Sequence, residues 1–189
     1  MGWPIGNLDD FREAVETAEP VPFYAVILYA AQGEADASVR AYVTGHRGDS
    51  AAVTGEHCRA FVLEDGAEQP IDGFPPAEVA SIAEYLGADR AAVPGVLFFT
   101  EPAMQPEGLG LRLGQLVGGA AGDPAGMFGE LAAMVTASAS AAPDDRLPDL
   151  RRRLTDRWSP QLVTSGLVEG GSVAMALTHI VGQIRENTG

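Results

Sequence analysis

The sequence predicts an α/β fold in three layers: a central mixed sheet of about four strands, helices on both faces, and a helical C-terminal tail. Three observations predict it. Phe23 to Ala30 is apolar throughout, the pattern of a central strand covered on both sides. Gly95 to Phe99 repeats that pattern further along. Around these runs apolar residues recur at helical spacing, so strands and helices alternate along the chain.

Asn7 caps a first helix, with Asp9 and Asp10 in the first turn, where carboxylates meet free backbone N–H groups. Leu8, Phe11, Val15 and Ala18 share one face, and Pro20 and Pro22 end the helix. After the strand from Phe23, a second helix is expected over 35–43, with loops at Gly45, Gly48 and Gly55. Cys58 to Glu64 alternates and reads as a second strand. Pro75 and Pro76 open a further helix with Val79, Ile82, Ala83 and Leu86 as its apolar stripe, closed by Gly87. Gly95 to Phe99 is the third inner strand. Leu109, Leu111 and Leu113 alternate with small or polar neighbours and predict an edge strand, continued through Leu116 and Val117 to a turn at Gly118 and Gly119. Asp123-Pro124 is a helix start, a capping residue followed by proline at the first helical position. Met127 or Phe128, Leu131, Met134 and Val135 supply that helix's buried face.

The Ser and Ala run over 137–142, followed by Pro143, reads as a linker. It divides the chain into a domain, 1–142, and a helical tail or interaction segment, 143–189. In the tail Leu147, Leu150, Leu154 and Trp158 keep a helical period, and Arg146, Arg151, Arg152, Arg153 and Arg157 cluster on the same short segment. A last helix is expected from near Ser172, with Val173, Leu177, Ile180, Val181 and Ile184 on one stripe. Contact with a protein partner or a second copy is expected through Arg151, Arg152, Arg153 and Trp158, and through Val173, Leu177, Ile180 and Ile184.

Composition narrows the partners. Net charge is −14 and every basic residue is arginine; there is no lysine. Phosphate backbones need cations to neutralise them, so nucleic acid and anionic membrane are disfavoured as partners. A single cysteine, Cys58, excludes an internal disulfide framework and a multi-cysteine zinc site. Met1-Gly2-Trp3-Pro4 lacks the basic and apolar regions of a signal peptide, and no apolar run reaches the ~18 residues of a membrane span. The expected location is the cytoplasm.

Three segments together resemble the thioredoxin-like superfamily over residues 7–137: the apolar strand Phe23 to Ala30, Val93-Pro94 followed by Gly-Val-Leu-Phe-Phe, and the strand ending in Val117-Gly118-Gly119 before the last helix. The resemblance implies a cis peptide bond before Pro94 and a substrate-binding surface beside it. Counting on from the first strand, the family's Cys-x-x-Cys falls near 34–37, where this chain reads Glu34-Ala35-Asp36-Ala37. Dithiol exchange needs one thiolate to attack and a second thiol to resolve the mixed disulfide, so that activity is excluded. What is expected instead is a non-catalytic binding or assembly module without cofactor or metal. Its recognition surface would comprise Glu34, Asp36, Val93 and Pro94, holding a peptide or partner loop by β-strand addition.

Other readings stand beside this one. Cys58, flanked by His57 and Arg59, would serve a glutathione-linked or single-cysteine peroxidase if its pKa were lowered; as a packed thiol it would be inert. His46, His57, Cys58 and Glu64 match no zinc spacing. The glycines from Gly108 to Gly114 lack the Lys-Ser/Thr of a phosphate loop and read as an edge strand with a bulge. A third reading makes the tail a membrane- or assembly-active effector controlled by the folded domain.

Overall fold

The computed structural model describes residues 3–5, 8–29, 34–46, 50–63, 94–100, 108–113, 116, 123–158 and 163–165. The expected helix over 75–86 and the stripe from Val173 to Ile184 lie outside the described residues. In chain order the elements are β1 (Trp3–Ile5), α1 (Leu8–Thr17), β2 (Phe23–Leu28), α2 (Glu34–Gly45), α3 (Ser50–Thr54), β3 (Cys58–Leu63), β4 (Gly95–Phe99) and β5 (Leu109–Arg112). They are followed by α4 (Pro124–Ala139), a 3₁₀ turn (Pro143–Asp145), α5 (Arg146–Arg157) and β6 (Val163–Ser165).

The strands form one mixed sheet in the order β1-β3-β2-β4-β5-β6. β3 runs parallel to both β1 and β2, whereas β4, β5 and β6 join by antiparallel pairing. The expectation of about four strands describes the inner sheet, β3-β2-β4-β5. The correction is at the margins, where the three-residue strands β1 and β6 take the two edges. Such short pieces carry too few residues for an alternation to register.

β2 is apolar because both its faces are covered: all six residues, Phe23 to Leu28, are buried. On one face Phe11 of α1 meets Phe61 edge-on at 5.4 Å, and Tyr24 stacks on Phe99 at 5.4 Å. The Tyr24 hydroxyl would be stranded there, but it accepts from the Val21 N–H and donates to the Glu19 carbonyl. Cys58 is an odd number of residues from Phe61 and so faces the other side, against Thr54 at the end of α3. On that side α3 packs on α4, and α4 on α2, where Tyr42 stacks on Phe128 at 4.8 Å.

Gly55 makes the closest of these approaches. Its φ is +91°, and a Cβ there would stand 2.6 Å from Thr136 Oγ1 and 2.8 Å from the Ala132 carbonyl oxygen. Only glycine lets the α3–β3 turn lie this close to α4.

α4 begins where Asp123-Pro124 predicts: the Asp123 carboxylate accepts from the N–H groups of Ala125 and Gly126 at 3.0 and 3.1 Å. It does not stop at the expected linker. Residues 137–139 continue the helix, because alanine favours it and Ser138 is fully buried, donating to Asp149 at 2.9 Å. β5 ends at Arg112 and does not run on through Leu116; the Leu116 N–H instead turns back to the Leu113 carbonyl. α5 then lays Leu150 and Leu154, both fully buried, into the same core, and β6 pairs with β5. No helix among the described residues is long and apolar enough to cross a membrane.

Candidate recognition site at one end of the sheet

The register defines two ends of the sheet. Leu28 pairs with Gly95, and Gly95 pairs with Arg112. The exit of β2, the entry of β4 and the exit of β5 therefore meet at one end. Pro94 lies there, partly buried, and its carbonyl accepts the Leu113 N–H at 2.8 Å. Tyr29 follows β2 and is buried at the same end. The chain leaving β2 there next forms α2, which opens with exposed Glu34.

Of the expected recognition residues, the topology thus brings Glu34 and Pro94 toward one end, with no hydrogen bond or ion pair between them. Val93 and the Asp36 side chain lie outside the described residues. Sequence reading missed Arg112, the only charged residue of β5, which faces away from the leucines on either side of it. Its signal was there: one cation breaking an otherwise Leu-Gly-Leu strand. Its Nε is shut off from water with no hydrogen-bond partner.

Cys58 sits at the opposite end. It pairs with Phe23, the first residue of β2, whereas Gly95 pairs with the last, a separation of about 17 Å along the strand. The thiol is buried, and burial pushes its pKa up to about 12 against a hydrogen bond with Thr54 that pulls the other way. A thiol in that state supplies almost no thiolate at neutral pH. His57 beside it is exposed, and His46 is held through Nδ1 on the Tyr42 carbonyl at 2.8 Å. Among the described residues no group of three or more His, Cys, Asp or Glu could hold a metal ion.

Much of the arginine cluster turns inward on the chain's own carboxylates. Arg153 Nε donates to Asp149 at 2.7 Å, and Arg152 pairs with Asp149 and Asp156. These arginines hold the Asp149 carboxyl at about 2, well below its ordinary value, with the Ser138 hydroxyl adding to the effect. Arg157 grips both oxygens of Glu130 on α4 at 2.6 and 2.8 Å. Trp158 packs partly buried against the core, while Arg151 is exposed with no ion pair among the described residues.

The β-strand addition expected at this surface meets an edge already used: β6 of the same chain occupies the outer side of β5. Comparison with family models, curated proteins and solved structures finds no match.

Proposed function

We propose that the chain is a non-redox binding or assembly module on a thioredoxin-like domain, with the segment 143–189 mediating self-association or partner contact. The observation that carries this reading is the separation of scaffold from thiol. The inner strand order β3-β2-β4-β5, with β2 and β3 parallel and the other two pairs antiparallel, supports the resemblance drawn from the sequence. In that resemblance the chemistry belongs at the Pro94 end. The lone thiol lies at the far end, buried and protonated, so the single-cysteine peroxidase reading has less support. What the Pro94 end offers is shape and polarity: Pro94, Glu34 and Arg112. Net charge −14 favours a protein partner over nucleic acid, and a cytoplasmic location belongs to the same proposal.

The test is sedimentation equilibrium on the full chain and on a full-length variant with Val173, Leu177, Ile180 and Ile184 replaced by asparagine. An oligomer that becomes monomeric supports assembly through the tail. Two monomers that capture the same proteins as each other remove the tail from the reading. Pro94→Ala in the folded chain is expected to weaken capture; unchanged affinity removes the Pro94 surface.

A further inference from the structure

We propose that residues 173–184 dock along the outer face of α4 in the same chain. This goes beyond the reading above: it seats the tail on its own domain, so that contact with a partner requires its release. Two features meet in it, a helix face without free charge and a tail segment without charge.

A helix that faces water carries charged residues on its outer side, and one that lacks them is normally covered. α1 holds five charged residues in ten, α2 three in twelve and α5 seven in twelve, whereas α4 holds one in sixteen, Glu130. Yet Ala125, Gly129, Ala133 and Ala137, which lie four residues apart along α4, are all exposed. Glu130 at the margin of this face is already held by Arg157, so covering the face leaves no carboxylate unpaired.

The occupant follows from the chain that remains. β6 ends at Ser165, and 24 residues follow it. Of these, 170–184 contain no Asp, Glu, Lys or Arg, the longest such run in a chain with 26 acidic residues. Val173, Leu177 and Val181 stand four apart, as do Ile180 and Ile184, so a helix there raises them as a ridge. The exposed row on α4 has the same spacing and short side chains, which makes it a groove for such a ridge. Reach allows the contact. β6 packs on α5 and α5 on α4. Packed helices lie about 8–10 Å apart, and the eight residues from Ser165 to Val173 extend up to about 26 Å. A segment tethered this closely meets its own domain at an effective concentration of the millimolar order, ahead of any second copy.

The test is amide hydrogen exchange on the full chain. The amides of 173–184 should exchange at least about tenfold more slowly in the wild type than in Ala133→Glu, which puts a charge in the middle of the contact. Ala133 is exposed, so α4 should keep its own protection in that variant. Ala137→Gln, uncharged and helix-favouring, reads the same contact through bulk alone and should also speed the tail. Arg151→Glu, on the exposed side of α5, should leave the tail as protected as in the wild type, and so should dilution. Tail amides that exchange freely in the wild type overturn the proposal. So does equal protection in the wild type, Ala133→Glu and Ala137→Gln, and so does an equal loss in Arg151→Glu. Protection that disappears on dilution overturns it in favour of the tail of a second copy, the outcome in which assembly through the tail stands and docking on its own domain falls.

Discussion

Gly55→Ala tests the packing of α4 on the sheet more sharply than any truncation of a large side chain. Two effects add. The backbone at φ +91° is a conformation that costs an L residue about 1–2 kcal/mol. The new methyl would also stand 2.6 Å from Thr136 Oγ1 and 2.8 Å from the Ala132 carbonyl oxygen. The hydroxyl can rotate away, but the carbonyl belongs to the helix backbone, so α4 must shift; overpacking of this kind costs about 1–3 kcal/mol. The expected loss is about 3 kcal/mol, or about 6–12 °C in Tm for a domain of this size. The same substitution at Gly129 has the opposite sign. Gly129 is exposed on α4 with nothing within 4 Å of its would-be Cβ, so alanine there stabilises by about 0.5–1 kcal/mol. Urea unfolding of both variants measures the difference. If Gly55→Ala stays within about 0.5 kcal/mol of wild type, the close approach is wrong.

Leu154→Ala should lose about 3 kcal/mol in the same urea assay, because α5 places that side chain fully in the core; Arg151→Ala, on the exposed face, should stay within about 0.5 kcal/mol. The Asp149 carboxyl is held at about 2 against 3.8 when free, so its contribution is complete above pH 4 and disappears as pH falls toward 2. The stability gap between wild type and Asp149→Asn should therefore narrow by about 1 kcal/mol between pH 5 and pH 2.5, solvent screening included; a constant gap contradicts the pairing. Cys58 should resist iodoacetamide at pH 8 in the native chain and react on unfolding; rapid native alkylation would return it to the list of candidate nucleophiles.

What could be read from the sequence tracks how far each element depends on its own residues. β2 and β4 were legible as apolar runs because burial on both faces leaves no polar position. The start of α4 was legible because Asp123 and Pro124 act within one turn. α5 was legible from Leu150 and Leu154, which repeat at helical spacing. The elements missed are set by distant partners. β1 exists because β3 offers it an edge, and β6 because β5 does. Ser138 reads as linker composition until Asp149, eleven residues on, satisfies its hydroxyl. α3 is only five residues long and is held mainly by α4. At the candidate site Pro94 was legible through its strand. Arg112 was visible as one cation in a Leu-Gly-Leu strand, but that its Nε is buried without a hydrogen-bond partner emerges only in the fold.

The position of β6 also sets an order of events during synthesis. β5 ends at Arg112 and its outer partner begins at Val163, some fifty residues later. A growing chain adds about 5–20 residues each second, so for roughly 3–10 s the other strands can be in place while the outer side of β5 has no partner. An unpaired strand edge of this kind is a template for pairing with a neighbouring nascent chain. Between the two strands α5 brings Leu150 and Leu154 into the core beside α4, so β6 joins β5 only after these described core side chains have been made. The nascent protein therefore carries an unpaired β5 edge from the synthesis of Arg112 until Val163 has been made.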